Sequence, residues 1–143
     1  MNADDAPPAG GITAIAPWFG GKRGLASRIV SELGQHRSYL ELFCGGLSVV
    51  MRKPQASYET VNDLHGDLTH LARCLQDEAT AMWLYHQAAR TLFAEEILSA
   101  ASSLLAGAPP PEMDDPVDRH RGLAFLVQSW MMRNGVAGTN IGS

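Results

Sequence analysis

The sequence lacks the marks of a secreted, disulfide-stabilised or membrane-spanning protein. Its only two cysteines, Cys44 and Cys74, lie on separate apolar segments, without the paired spacing of a disulfide framework or a zinc site. No apolar run approaches the roughly 18 residues needed to cross a bilayer. Asp4 and Asp5 stand where a signal peptide would carry positive charge. We therefore expect a cytoplasmic protein with two buried free thiols, no metal and no membrane contact.

An excess of positive charge is also missing. The 143 residues carry 11 basic and 15 acidic side chains, for a net charge of −4. Charge alone therefore does not indicate a nucleic-acid-binding domain, although it does not exclude DNA as a partner. Catalytic signatures are scarce as well, because the sequence has no nucleophile elbow and no His-Glu-x-x-His. The scattered histidines are expected at surface or half-buried positions: His36, His65, His70, His86 and His120.

What is present is the length and composition of one globular domain, with 45% hydrophobic residues. Residues 1–16 predict a flexible leader that ends in a first short strand, Ile12–Ala16. A helix is predicted over 25–33, because apolar residues recur there at a spacing of four and Gly34 follows as a natural stop.

The centre of the chain predicts a βαβ unit built around a glycine turn. An apolar strand over 38–43 runs into Gly45 and Gly46, which allow the backbone to turn sharply and to approach a ligand closely. The elements predicted next are a short helix that begins at Leu47 and is stopped by Pro54, a second strand over 57–61 and a helix over 64–75. The two strands should therefore be parallel.

The rest of the chain predicts helices. One or two helices over 78–107 would carry an apolar stripe into the core: Met82, Tyr85, Ala89, Leu92, Phe93, Ile97, Ala101, Leu104 and Leu105. A last helix is predicted over 116–133, with Trp130 facing inward and Arg121 facing outward.

Lys22 allows two interpretations. It follows Gly20 and Gly21 at the start of a helix, where a cation is slightly unfavourable against the helix dipole, and this hints at a ligand. Alternatively, Lys22 is a solvated charge beside two core anchors, Trp18 and Phe19. The spacing of a phosphate-binding P-loop is absent from this segment.

Asp63 also allows two interpretations. It lies at the end of the second predicted strand, downstream of Gly46, where nucleotide-binding α/β folds place an acidic residue that binds ribose hydroxyls. Alternatively, it is the N-cap of the helix over 64–75. Asp67, one turn into that helix, is expected to be solvated or to stabilise the helix dipole.

Three motifs follow one another over residues 17–77. They are Trp18-Phe19-Gly20-Gly21-Lys22, then Tyr39-Leu40-Glu41-Leu42-Phe43-Cys44-Gly45-Gly46, and, after Arg52-Lys53-Pro54, Asn62-Asp63-Leu64-x-x-Asp67-Leu68. This pattern resembles the Dam-like, D12-class DNA adenine-N6 methyltransferases, particularly forms common in phages and prophages.

The resemblance implies an α/β, Rossmann-like methyltransferase fold, incomplete in this chain, with a helical target-recognition insertion. It divides the chain into the leader and first strand (1–16), a βαβ region that binds S-adenosylmethionine (17–78) and a helical region that begins the target-recognition part (79–143).

The resemblance also implies a pocket for S-adenosylmethionine at the carboxyl edge of a mostly parallel sheet. In that pocket Trp18 would pack near the adenine or sulfonium, Lys22 would meet the methionine carboxylate, and Asp63 would bind the ribose hydroxyls. The floor would be formed by Glu41, Phe43, Gly45 and Gly46.

The chain departs from the family pattern in three places. Leu42 stands where the family usually has proline, and Leu47 is bulkier than the residue common there. The family's catalytic tetrapeptide, Asp-Pro-Pro-Tyr or a close variant, does not occur in the sequence. In the family this motif lies downstream of the point where the present chain stops. We therefore expect the amino-terminal part of a DNA methyltransferase, with no catalytic residue of its own.

Double-stranded DNA would be the partner of the complete enzyme. The chain alone is expected to self-associate or to need a complementing catalytic half. The alternative functions are a non-catalytic cofactor-binding remnant, a protein-interaction module and, on the strength of Gly20-Gly21-Lys22, a protein that binds nucleotide phosphates.

Overall fold

The computed structural model describes residues 12–132. The elements of that range are α1 (Ala26–Leu33), β1 (Ser38–Glu41), β2 (Tyr58–Val61), α2 (Gly66–Gln76), α3 (Glu78–Ala88), α4 (Glu95–Ala106) and α5 (Arg119–Met131), with a single 3-10 turn, Lys22–Gly24, before α1. The chain divides into two compact units. Within the described range, unit 1 comprises 12–15 and Gly20–Asp63, and unit 2 comprises Ala16–Phe19 and 64–132.

Unit 1 is built on one pair of parallel strands. Ser38 pairs with Tyr58, and the register runs without a slip to Glu41 and Val61. The ladder continues beyond the strands, because the N–H of Asn62 donates to the carbonyl of Glu41 at 2.8 Å. The predicted parallel pairing is confirmed. Within the described residues the sheet has these two strands alone, so the structure shows a mixed helix and strand fold without a full Rossmann sheet.

The core of unit 1 lies between α1, β1 and the segment that joins the strands. Its buried members are Ala26, Tyr39, Val49 and Ala56, with Ile29, Val30 and Val50 packed against them. The helix ends where the sequence predicts, because Gly34 has a φ of 60°, a left-handed conformation that favours glycine.

Two predictions for unit 1 are wrong. The segment Ile12–Ala16 is not a strand, because Ile15 contributes a backbone hydrogen bond to Gly46 at 2.9 Å but joins no ladder. The short helix predicted from Leu47 is a series of turns. Leu47 itself has a φ of 62°, which no right-handed helix can contain, and Pro54 follows too soon for a helix to begin again.

Unit 2 is a helical unit in which α5 packs against α2, α3 and α4. Its largest fully buried side chains include Leu68, Leu71, Leu84 and Phe125. The caps explain two of the helix starts. Asp118 accepts the N–H groups of His120 and Arg121 at the start of α5, and Asp77 accepts that of Thr80 at the start of α3. This hydrogen bonding from Thr80 lowers the pKa of Asp77 below its usual range.

The predicted apolar stripe of the helical region is largely wrong. Met82, Tyr85, Leu92 and Phe93 are all exposed, the last by 78%, whereas α3 buries Leu84 on another face. On α4 the prediction is confirmed for Ala101, which is buried, and for Leu105, which packs against the cluster that contains Ala101, but Ile97 and Leu104 are exposed.

The facing predicted for the last helix is also wrong at two positions. Trp130 is 53% exposed, and Arg121 is only 6% exposed. Arg121 faces inward because its Nε donates to Oδ1 of Asp67 at 2.5 Å and its terminal nitrogens donate to the carbonyl of Ala108. Asp67 is therefore buried and paired, and the prediction of a solvated carboxylate is wrong.

His70 is a second buried polar residue of unit 2. It is 1% exposed, and its Nε2 lies 2.9 Å from the carbonyl oxygen of Asp118 and 3.2 Å from its N–H. The expectation of a surface or half-buried position is wrong for this histidine. Among the described residues no helix combines the length and the apolar character required to span a membrane.

Candidate functional site

The candidate site lies in unit 1, where β1 and β2 end. Parallel strands bring their carboxyl ends to the same edge of a sheet. Glu41 is the last residue of β1, and Asp63 comes two residues after the end of β2. The chain leaves β1 through Gly45 and Gly46 at this edge, and the N–H of Cys44 donates to the carbonyl of Asn62 at 2.9 Å. The fold thus brings together the glycine turn and both carboxylates predicted from the sequence.

The glycine turn is hydrogen-bonded to the side chain of Asp63. Gly45 has a φ of 50°, which requires glycine, and its N–H donates to Oδ2 of Asp63 at 2.8 Å. Helix α2 begins at Gly66 with His65 as its N-cap residue, so the alternative in which Asp63 caps this helix is wrong. Asp63 instead holds the turn closed across the edge of the sheet.

Lys22 reaches the same edge from the 3-10 turn before α1. Its Nζ lies 3.1 Å from Oε1 of Glu41 and donates to the carbonyl oxygen of Phe43. Glu41 is 7% exposed, whereas Phe19 is 78% exposed. The alternative of a solvated Lys22 beside a core Phe19 is therefore wrong. Lys22 is held by the strand that leads into the glycine turn.

Trp18 lies in unit 2. Its ring meets that of His65 edge-on, with the centroids 5.2 Å apart, and lies 6.5 Å from that of Phe125. Its predicted role beside a cofactor stays a prediction. Phe43 is in unit 1 and keeps 66% of its surface exposed at the end of β1. Its side chain is therefore accessible to a ligand.

A comparison with family models identifies the family of this chain. The model described as D12 class N6 adenine-specific DNA methyltransferase matches residues 18–102, which is more than half of the chain. The chain belongs to this family. A search among curated proteins found no match.

The D12 match covers every candidate residue, from Trp18 to Asp63. The D12 family acts on DNA and in general uses S-adenosylmethionine as methyl donor. Within the described residues no group of three or more His, Cys, Asp or Glu side chains could hold a metal ion.

The sequence pattern of this D12 chain did not predict a role for Tyr39, Lys53 or Glu59. Tyr39 donates its hydroxyl to Oε2 of Glu41 at 2.7 Å, and the ammonium of Lys53 lies 4.5 Å from the centre of its ring. One signal was available, because residues 39 and 41 are two apart on a strand and so share a face. The position of Lys53 had no comparable signal, since it comes from an irregular segment.

The two cysteines of this D12 chain are free and buried, as predicted. Burial, together with the carboxylates of Asp63 and Glu41, raises the pKa of the Cys44 thiol to about 11. Burial and Asp118 raise that of Cys74 to about 11 as well. Because the thiolate is the reactive form, both thiols should be inert at neutral pH.

We expect iodoacetamide at pH 7.5 to leave Cys44 and Cys74 unmodified in the folded protein over an hour. Both should react within minutes in 6 M guanidinium, where burial no longer suppresses the thiolate. Mass spectrometry of the intact chain checks this result. Rapid modification of Cys44 in the folded state would contradict its burial beside the glycine turn.

Proposed function

We propose that this chain carries the S-adenosylmethionine-binding portion of an adenine-N6 DNA methyltransferase that acts on double-stranded DNA in the cytoplasm. The observation that supports the proposal is the meeting of Lys22, Glu41 and Asp63 around the Gly45-Gly46 turn, within the region matched by the family. Membership of the family makes DNA the substrate class, and the proposal assigns the cofactor to this edge of the sheet.

The residues at this edge fit the chemistry of the cofactor. S-adenosylmethionine carries a carboxylate, two positive groups and a ribose with two hydroxyls. The edge offers one ammonium, from Lys22, and two carboxylates, from Glu41 and Asp63. Gly45 and Gly46 have no side chain, so no Cβ would obstruct a ligand that approaches the backbone there.

Each residue then has a defined task. Lys22 would bind the methionine carboxylate, and Asp63 would accept hydrogen bonds from the ribose hydroxyls. Glu41, Phe43, Gly45 and Gly46 would form the floor. When bound, the cofactor supplies the methyl group.

Lys22 is suited to its task because it is already oriented. An ammonium has three donors. The carbonyl of Phe43 accepts one of them, and Oε1 of Glu41 lies 3.1 Å away as an ion-pair partner. A carboxylate of the ligand can accept another without breaking either contact. The side chain is 32% exposed, so it remains accessible from solvent.

Calorimetry with S-adenosylmethionine tests the proposal. We expect the 143-residue chain to bind the cofactor, and Lys22→Ala to weaken binding roughly 20-fold, as the loss of one charge-assisted hydrogen bond predicts. The matched control is Arg23→Ala, which removes an exposed positive charge from the same 3-10 turn. Equal losses in both variants would contradict a specific role for Lys22.

The proposal assigns no catalytic residue to this chain, because Asp-Pro-Pro-Tyr does not occur in its sequence. Extrusion of the adenine and alignment of its N6 with the methyl carbon would need catalytic residues that are not among these 143 residues. Transfer of a labelled methyl group to unmethylated DNA by the 143-residue chain alone would contradict this part of the proposal.

One observation supports a second candidate, a non-catalytic interaction module. Tyr85, Leu92 and Phe93 expose between 66% and 78% of their surface around the junction of α3 and α4. Exposed apolar surface of this kind can serve as a contact surface, and the three side chains belong to one stretch of the chain. A folded circular dichroism spectrum with no heat of cofactor binding would favour this module, and concentration-dependent sedimentation would show self-association through it.

A further inference from the structure

Tyr39 links the core of unit 1 to the candidate site. Its ring belongs to the buried cluster with Ala26, Val49 and Ala56, and the residue is 8% exposed. Its hydroxyl leaves this cluster and donates to Oε2 of Glu41 at 2.7 Å. Alternation along β1 places the two side chains on one face of the strand, so the contact is built into the register.

Glu41 connects Tyr39 to Lys22. One carboxylate oxygen accepts from Tyr39, and the other lies 3.1 Å from Nζ of Lys22. A carboxylate without a hydrogen bond can rotate about its last bond. The hydrogen bond from Tyr39 to Oε2 limits this rotation, so Oε1 of Glu41 is kept facing Lys22 and the ion pair holds the ammonium beside it.

The ring of Tyr39 is contacted by Lys53, which is held in place by Glu59. The side chain of Lys53 is fully buried, with its ammonium 4.5 Å from the centre of the Tyr39 ring. Lys53 donates to Glu59 and to the carbonyl of Pro54, and Glu59 also accepts the N–H of Ala56 at 2.8 Å. The backbone N–H of Ala56 and the ammonium of Lys53 lower the pKa of Glu59, so this carboxylate stays charged.

We propose that Tyr39 is a positioning residue of the cofactor site, which acts on the ligand carboxylate through Glu41 and Lys22. This inference rests on the proposed function, because it takes the ligand of Lys22 to be the methionine carboxylate. Burial, followed by the neighbouring carboxylate of Glu41, raises the pKa of Tyr39 well above its usual range. The hydroxyl therefore remains a donor throughout the neutral and mildly alkaline range.

The test compares two ligands that differ at the amino-acid end. S-adenosylhomocysteine carries the carboxylate, whereas 5′-methylthioadenosine has the same nucleoside without it. We expect Tyr39→Phe to weaken binding of S-adenosylhomocysteine about 5- to 10-fold, as the loss of one hydrogen bond to a charged group predicts. Binding of 5′-methylthioadenosine should stay within about 2-fold, because that ligand offers Lys22 nothing to bind.

The matched control is Tyr58→Phe. It makes the same chemical change on β2, at a side chain that is 69% exposed, and should alter neither affinity. A second variant tests the route through Lys22. In a Lys22→Ala background, Tyr39→Phe should cause no further loss of S-adenosylhomocysteine binding, since coupled residues are not additive.

Three outcomes would overturn the inference. Unchanged binding of S-adenosylhomocysteine by Tyr39→Phe would show that the hydroxyl positions nothing. Equal losses for both ligands would show a general structural role, as would a further loss in the Lys22→Ala background. Failure of the unmutated chain to bind either ligand would instead refute the proposed function, and the inference would fail with it.

Discussion

Asp67→Ala is expected to lower the free energy of unfolding by about 3–5 kcal/mol, because it leaves the buried guanidinium of Arg121 without its counter-ion. Asp67 and Arg121 are each 6% exposed and are joined by a contact of 2.5 Å. Without Asp67 the guanidinium keeps the neutral carbonyl of Ala108 as an acceptor. Since small domains are stable by about 5–15 kcal/mol in total, the loss should be evident even from the yield of folded protein.

Urea denaturation followed by circular dichroism measures this effect. Asp114→Ala is the matched control, because it removes an exposed aspartate from the loop before α5 and should change stability by less than about 0.5 kcal/mol. The double variant Asp67→Leu with Arg121→Met should regain most of the loss, since it leaves no buried charge unpaired. A single variant within about 1 kcal/mol of the parent would contradict the buried pair.

The parts of the fold that local chemistry controls were predictable from the sequence. Gly34 was expected to end α1 and does so with a positive φ. Gly45 was expected to allow a sharp turn after β1, and its φ of 50° needs a residue without a Cβ. Parallel pairing followed from the predicted order of strand, glycine turn, helix and strand, and it holds even though the structure forms turns in place of that helix. The two glycine features depend on residues that are neighbours in sequence, whereas the pairing joins residues 20 positions apart, such as Ser38 and Tyr58.

The facing of the helices could not be predicted, because it depends on partners distant in the chain. Arg121 looks like a solvated residue until Asp67, 54 positions earlier, neutralises it. Tyr85 and Phe93 look like core residues by hydrophobicity, yet α3 turns Leu84 inward instead. Amphipathic patterns show that a helix has a buried face, but α3 has only a weak difference between its faces.

The sequence predicted which residues of unit 1 meet at the edge of the sheet but not how they contact one another, and their role in binding a cofactor stays a prediction. Lys22, Glu41 and Asp63 were expected to share one edge of the sheet, and the structure brings them there. That Asp63 binds Gly45 had no signal in the sequence, and the spacing of Tyr39 and Glu41 indicated a shared face of β1 but not the hydrogen bond between them. Such contacts depend on side-chain orientation at the ends of strands, which periodicity does not determine.

Asp63→Ala is expected to have the largest effect on cofactor binding, because Asp63 has two tasks. It accepts the N–H of Gly45, which closes the glycine turn, and it would accept the ribose hydroxyls. Removing the carboxylate should weaken S-adenosylmethionine binding roughly 100-fold, as two lost charge-assisted hydrogen bonds predict, and should lower stability by about 1–2 kcal/mol.

Asp63→Asn separates the two tasks. The amide oxygen of asparagine can still accept the N–H of Gly45, so stability should stay within about 0.5 kcal/mol of the parent. The charge that strengthens the ribose hydrogen bonds is lost, so affinity should still fall roughly 10-fold. Asp77→Ala is the matched control, because Asp77 accepts the N–H of Thr80 at the same 2.8 Å but lies at the start of α3. It should leave affinity unchanged. If Asp63→Asn binds the cofactor as tightly as the parent while Asp63→Ala does not, Asp63 acts by closing the turn alone, and its assignment to the ribose is wrong.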